Sequence, residues 1–178
     1  MTPISPPRRC ASAICLADFV FRDGFLQGAG LRFRAACGRA GTTPHKEEGD
    51  GATPRGYLPL LRILYRADRL KPPSCAVPLE PIGAQDGWCD DVHDAAYNRP
   101  VRLPYDGHHE ELWRRDGLYD VIGVLDWNMA PVKKRLGSAI FLHVATPDYA
   151  PTAGCIALEL PDLLACLAAG LTGITEPA

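Results

Sequence analysis

Glycine and proline occur throughout this chain, and this feature limits the fold more than any other. The 178 residues include 17 glycines and 17 prolines, about a fifth of the chain against a usual share of about 12%. Proline interrupts helices, whereas both residues are common in turns. A helical bundle would not tolerate so many interruptions. The sequence therefore predicts a mainly β fold with many turns and one or two short helices.

Residues 31–37 have the alternating pattern of a strand with one buried face. One face carries Leu31, Phe33, Ala35 and Cys37, and the other carries Arg32 and Arg34. Asp23-Gly24, just upstream, is a favourable pair for a tight hairpin turn. The pattern predicts a hairpin at this turn and a strand over residues 31–37.

Longer apolar runs predict further strands and helices. Residues 57–65, 119–128 and 137–145 are rich in branched apolar side chains, which favour strands. Residues 160–171 predict a helix with a proline in its first turn. Residues 108–116 predict a shorter helix, and its first residues, two histidines and two glutamates, are interpreted as a solvated helix start.

The domain organisation is expected to be simple. Residues 1–18 are expected to form a poorly structured leader, residues 19–171 a single domain, and residues 172–178 a short tail. Residues 66–105 are rich in proline and look irregular. Large aromatic residues within that segment, including Trp88, indicate that it is nevertheless ordered and packed.

Composition excludes several kinds of function. The formal net charge is −2 and no basic block occurs, so nothing points to nucleic acid. No apolar run approaches the length of a membrane span. The seven cysteines include no C-x-x-C pair, and the bunched Cys, Asp and His of residues 89–93 lack the spacing of metal ligands. The sequence therefore predicts no metal site.

Cys155 and His143 are the candidate catalytic pair. His143 ends a strand-like run, where an imidazole would be held rigidly enough to act as a base. Cys155 follows Gly154, which permits a tight turn and close approach of a substrate, with N–H groups directed at one point. A cysteine beside a histidine can lose its proton near neutral pH and attack a carbonyl carbon. The alternative is that both residues only pack in the core.

The stretch from His143 to Ile156 resembles the signature of the L,D-transpeptidase catalytic domain, a histidine followed by Ser/Thr-x-Gly-Cys-Ile/Val. Here the motif reads Thr152-Ala153-Gly154-Cys155-Ile156. The Thr-Pro-x-Gly of residues 53–56 and the segments "DGWCDDVHDAAYNRPVRLPY", "DGLYDVIGVLDWN" and "GSAIFLHV" are also similar to this family. The similarity extends from about Phe19 to Leu171.

The resemblance implies a mixed β-sandwich with the cysteine in a cleft and no metal or cofactor. It implies acyl transfer on peptidoglycan stem peptides, with an acyl-thioester on Cys155 and His143 as the base. By motif match, Gly154 and Cys155 supply backbone donors and Thr152 occupies the Ser/Thr position. Many members carry Arg two residues after the cysteine, where this chain has Ala157. Arg99 and Arg102 are the candidates to replace it.

The loop around residues 87–98 is expected to line the cleft. Trp88 would form an apolar wall, and Asp90 or Asn98 would hydrogen bond to a peptide backbone, with Arg99 as a further substrate contact. A purely structural role for Trp88 stays open. The predicted site thus comprises one catalytic group around Cys155 and one substrate-binding group around this loop.

Two other functions stay open at this stage. Water instead of an amine could resolve the thioester, which would make the protein a carboxypeptidase or amidase. A non-catalytic module that binds the cell wall would keep the cleft without turnover. The implied substrate places the protein in the cell envelope or periplasm. The N-terminus, however, has no clear cleavage site after its short apolar stretch, so a cytoplasmic location stays open. The sequence gives no oligomeric state.

Overall fold

Residues 16–177 are described by the structure, a computed structural model. The expected leader lies outside the described residues except at its end, where Ala17 and Asp18 begin the first strand. The elements, in chain order, are β1 Ala17–Arg22, β2 Phe25–Gly28, β3 Leu31–Arg34, β4 Thr42–Thr43, β5 Thr53–Pro54, β6 Gly56–Tyr65, β7 Leu79–Pro81, β8 Asp86–Cys89, β9 Arg99–Arg102, β10 His109–Glu111, β11 Val121–Leu125, β12 Phe141–Val144, β13 Ile156–Leu158, α1 Leu160–Ala168 and β14 Leu171–Glu176. The predicted mainly β fold is confirmed.

A mixed nine-stranded sheet forms the body of the molecule. Its strand order is β13-β12-β11-β6-β14-β1-β2-β3, with β7 added beside β6. The two ends of this path meet, because Ala36 and Ala157 exchange backbone hydrogen bonds of 2.8 and 2.9 Å. The sheet is therefore nearly closed, which removes most of its exposed edge. The chain just after β3 consequently lies against β13, beside Cys155.

The hairpin predicted at Asp23-Gly24 joins β1 to β2. Both turn residues have positive φ, 51° and 76°, as a two-residue hairpin turn of this kind requires. Residues 172–176, expected in a tail, lie in β14, which pairs with β1 and β6. Ile174 of this segment is fully buried in the core, which the short polar sequence there did not indicate.

Two core layers lie on opposite faces of β11, β12 and β13. One layer contains Leu142, Ile156 and the buried face of α1, with Leu163 and Leu167 fully buried. The other contains Phe141 and Cys155, packed against Trp88 of the three-stranded sheet β10-β8-β9. Alternate residues of β12 and β13 therefore belong to different layers. His143 and Cys155 lie in the layer between the two sheets.

The helix predicted over residues 108–116 is wrong. His109–Glu111 forms β10, which pairs antiparallel with β8, and Glu110 stands opposite Trp88. A nine-residue segment is too short to be a stable helix by itself, and pairing with a strand edge prevails over its local preference. The helix predicted over residues 160–171 is confirmed as α1, which has Pro161 and Asp162 in its first turn.

Residues 66–105 contain three short strands, β7, β8 and β9, and are packed as predicted. Trp88 and Tyr97 are almost fully buried. Within residues 16–177, no helix has the length and apolar character needed to cross a membrane.

Candidate active site

His143 and Cys155 face the same side because of the register between β12 and β13. The strands run parallel, with Leu142 opposite Ile156 and His143 opposite Ala157. Since side chains alternate, His143, Cys155 and Ala157 all face the layer between the two sheets. The three line one cavity of about 190 Å³. The geometry thus brings the two candidate catalytic side chains to one cleft.

The thiol of Cys155 is held in place by hydrogen bonds to two backbone groups. Sγ donates to the carbonyl oxygen of Ala139 at 3.2 Å and accepts from the N–H of Phe141 at 3.4 Å. Burial, followed by the charge of Glu110, raises the pKa of this thiol to about 12. The sequence argument expected a thiol that ionises near neutral pH. A thiol with this pKa is protonated at neutral pH, because burial and Glu110 outweigh the opposing effects of the Phe141 N–H and the Lys46 charge.

His143 is buried and poised as a neutral base. Its Nδ1 lies 2.8 Å from the carbonyl oxygen of Val144, which can only accept, so Nδ1 carries the proton and Nε2 has a free lone pair. Burial lowers the pKa of His143, and the positive charge of Arg114 adds to this effect. Tyr119 packs edge-on against the imidazole, with ring centroids 5.4 Å apart. The imidazole is therefore oriented and uncharged at neutral pH.

The turn before Cys155 is fixed by a chain of hydrogen bonds from β5. Buried Thr53 accepts from the N–H of Gly38 at 2.9 Å and donates to the carbonyl oxygen of Gly154 at 2.8 Å. Gly154 has φ of +146°, and a Cβ there would lie 2.9 Å from the carbonyl oxygen of Ala52. Only glycine fits this position without strain. Thr53 and Gly154 thus set the direction in which Cys155 leaves the turn.

Thr152 closes the turn from the other side. Its hydroxyl donates to the carbonyl oxygen of Cys155 at 2.6 Å and accepts from the N–H of Gly154 at 3.1 Å. The sequence argument expected Gly154 and Cys155 both to supply free backbone donors. In the described part of the chain, the N–H of Cys155 makes no hydrogen bond, whereas that of Gly154 is already engaged. One of the two expected donors is therefore unpaired in the described part of the chain.

A second cavity, of about 120 Å³, is also lined by Cys155. Carboxyl groups of Glu48, Asp90 and Glu110 contribute to its walls, together with the buried Lys46. Lys46 pairs with Asp50 at 2.5 Å, and Asp90 pairs with His108 at the same distance. Cys155 and Glu110 line both cavities. The two cavities thus share the residue that carries the candidate nucleophile.

The predicted substrate-binding residues are placed differently. Trp88 is fully buried and donates from Nε1 to Asn98 at 3.0 Å, and neither residue lines a cavity at Cys155. Asn98 accepts from the N–H of Ala139, the residue whose carbonyl holds the thiol. The expectation that these two side chains line the cleft is wrong, because β8 turns the indole into the core. They instead position the backbone of Ala139, to which the thiol is hydrogen bonded.

Asp90 lies in the second cavity, as a substrate contact there would require. Arg99 and Arg102 line neither cavity at Cys155, and Arg102 pairs with Asp86 on the outer side of the small sheet. They therefore do not occupy the space left open at Ala157. Within residues 16–177, no group of three or more His, Cys, Asp or Glu side chains is arranged to hold a metal ion.

Three residues of the site were missed by sequence reasoning: Glu110, Arg114 and Tyr119. Tyr119 donates its hydroxyl proton to Glu110, and all three line the cavity with His143 and Cys155. Burial raises the pKa of Glu110. A strand assignment for residues 109–111 would have shown Glu110 on the opposite face from its neighbours, but the helix assignment treated it as solvated.

The chain is similar to one known family of protein domains. The family model of the L,D-transpeptidase catalytic domain matches residues 19–173. The search of curated proteins returned no match for the chain.

Proposed function

Because this chain belongs to the family of L,D-transpeptidase catalytic domains, we propose that it transfers acyl groups between peptidoglycan stem peptides, with Cys155 as nucleophile and His143 as base. The observation that carries this proposal is the cavity shared by a neutral imidazole and a buried thiol, with an unpaired backbone N–H at the cysteine. Since peptidoglycan lies in the cell envelope, we place the reaction there.

The two steps of the reaction follow from the protonation states. Sγ of Cys155 attacks the carbonyl carbon of a donor stem while its proton passes to Nε2 of His143. The N–H of Cys155 stabilises the negative charge that develops on the carbonyl oxygen. The C–N bond then breaks, the leaving amine takes the proton from Nε2, and an acyl-thioester remains on Cys155.

The second step needs an amine from another stem. It gives a proton to Nε2, attacks the thioester carbon and forms the new amide, and the thiolate leaves and regains the proton. The second cavity supports this step, because the carboxyl groups of Glu48 and Asp90 line it, and Lys46 beside them is paired with Asp50. These carboxyl groups attract an acceptor that arrives as an ammonium group and releases one proton to solvent before it attacks as an amine. Transfer to an amine is therefore favoured over hydrolysis as the fate of the thioester.

A non-catalytic module that binds the cell wall is the second candidate. The raised pKa of Cys155 favours it, since a buried, protonated thiol is also what a residue that only packs would show. The orientation of His143 favours catalysis, because a binding module has no need of a free imidazole lone pair in the same cavity. Thiol reactivity alone does not separate the two candidates, whereas turnover does.

Mass spectrometry of muropeptides with tetrapeptide stems tests the proposal. We expect the wild-type chain to produce crosslinked dimers and Cys155→Ala to produce none. Cys75→Ala is the matched control, because Cys75 is half-buried and lines neither cavity. Trimmed monomers in place of dimers would identify a hydrolase. Unchanged muropeptides that still bind the protein would identify a binding module.

A further inference from the structure

Arg114 brings a permanent positive charge to the cavity that His143 and Cys155 share. Among the residues that line this cavity, the other titratable groups are Glu110, Tyr119, His143 and Cys155. Burial raises the pKa of the carboxyl, phenol and thiol and lowers that of the imidazole, so burial favours the neutral form of each. A guanidinium remains charged at every physiological pH. Asp116 pairs with Nε and Nη2, so the remaining N–H groups of the guanidinium are the ones that can bind an anionic group of a ligand.

The position of Arg114 is fixed by its surroundings. Arg66, itself almost fully buried, donates from Nη1 to the backbone carbonyl of Arg114 and so anchors the main chain. Asp116 accepts from Nε and Nη2 of Arg114. Tyr119 packs nearby, with its ring centroid 5.1 Å from the guanidinium carbon. A side chain held at these points loses little freedom when it binds a ligand.

One edge of the guanidinium remains available. Within residues 16–177, the hydrogen bonds of the Arg114 side chain involve Nε and Nη2, and none involves Nη1. The guanidinium side chain is about 38% exposed, so it is reachable from the cavity. Small or apolar side chains, Leu118, Ala145, Ala150, Pro151 and Ala157, form much of the remaining wall. They offer no side-chain donor that would compete for an anion.

We propose that Arg114 binds a carboxylate of the donor peptide next to the carbonyl that Cys155 attacks, and so determines which donor is accepted. This inference rests on the proposed function, since it concerns the donor of the same reaction. Arg114 takes no part in bond making or breaking. It positions the donor between the thiol and the wall at Ala157, which is opposite His143 in the strand register.

Direct binding tests this role without requiring turnover. The full chain carrying Cys155→Ala is titrated by calorimetry with a synthetic stem tetrapeptide and with analogues in which each carboxylate in turn is a carboxamide. We expect one carboxamide to weaken binding about 10- to 100-fold, the range for a charged hydrogen bond. Adding Arg114→Met should weaken binding of the carboxylate peptide by the same factor and leave binding of that carboxamide unchanged.

Arg115→Met is the matched control, because Arg115 is the exposed neighbour and does not line this cavity. It should leave all affinities unchanged, and Arg114→Lys should retain part of the discrimination. The proposal would be overturned if the protein that retains Arg114 bound the carboxylate and carboxamide peptides with equal affinity. It would also be overturned if that protein bound neither peptide. An equal loss for every peptide in Arg114→Met would overturn it too, because it would indicate a structural role. A missing crosslink in the turnover assay would instead count against the proposed function.

Discussion

The proton on Cys155 determines what kind of cysteine chemistry this site can perform. The thiol is neutral because it is buried near Glu110, and the imidazole is neutral because it is buried near Arg114. The resting pair is therefore a thiol and an imidazole, not an ion pair. In the proposed reaction, proton transfer must therefore accompany the attack on the carbonyl, and the substrate has to be in place before Cys155 becomes reactive.

Alkylation of Cys155 should be slow at neutral pH. With a pKa of about 12, the thiol ionises far less at pH 7.5 than an ordinary cysteine of pKa about 8.5. We expect iodoacetamide to label Cys155 at least about tenfold more slowly than the half-buried Cys75, with a rate that still rises with pH above 9. Glu110→Gln removes a carboxyl whose ionised form opposes ionisation of the thiol, so labelling should accelerate modestly at the pH values where that carboxyl is ionised. A labelling midpoint below 8.5 would contradict this description of the site.

The loss of activity at low pH should follow the protonation of His143. The proposed mechanism needs the neutral imidazole, and burial lowers the pKa of His143, so the neutral form persists to lower pH than in a free histidine. We expect kcat/KM to fall with a midpoint below about 6.5 as the pH is lowered. His143→Ala should reduce kcat/KM by about 100- to 10,000-fold. If kcat/KM instead fell with a midpoint above pH 7, and the same midpoint persisted in His143→Ala, another group would be responsible for the titration.

At the scale of elements, β5 and the turn before β13 act as one unit. Thr53 links the N–H of Gly38 to the carbonyl oxygen of Gly154, although Gly154 lies 101 residues further along the chain. This link places the turn that carries Cys155 against the segment after β3. The strand pairs at Ala36 and Gly38 strengthen the same contact.

Thr53→Val should therefore loosen the turn. The substitution keeps the shape of the side chain but leaves a buried N–H and a buried carbonyl without their partner, which costs about 1–3 kcal/mol of folding free energy. Thr53→Ser retains the hydroxyl and is the matched control. We expect a lower melting temperature and slower acylation of Cys155 in the valine variant, and near-normal values in the serine variant. Equal melting temperatures would show that the link carries no stability.

The sequence predicted those elements whose pattern is strong along the chain itself. The hairpin at Asp23-Gly24, the strand over residues 57–65 and the helix from Leu160 have a local signal, and each is confirmed. The segment around Glu110 lacks such a signal, because its conformation depends on pairing with β8. Trp88 was ambiguous for a similar reason, since the sequence shows its size but not which way its strand faces.

At the scale of the whole molecule, the site lies between two sheets, the nearly closed nine-stranded sheet and the three-stranded sheet β10-β8-β9. The large sheet supplies His143 and Cys155, and the connection after β10 supplies Arg114 from a distant part of the chain. Motif spacing could indicate the first two residues, because they are only twelve positions apart. It could not indicate Glu110 or Arg114, whose approach to Cys155 is set by how the small sheet packs on the large one.

The division into two cavities also arises only in the assembled fold. Glu110 and Cys155 line both cavities, and neither cavity is formed by one contiguous stretch of chain. Under the proposed function, the donor would occupy one of these cavities and the acceptor the other. The overall architecture therefore supports acyl transfer more than the isolated motif does.

Trapping the acyl-thioester tests the central claim most directly. The chain is mixed with a tetrapeptide stem in the absence of an acceptor, quenched in acid within one turnover and digested, and the fragments are weighed by mass spectrometry. The account predicts the mass of the donor acyl group on the fragment that contains Cys155, and strongly reduced labelling in His143→Ala. An acyl group on a different cysteine, or none on any fragment, would contradict it.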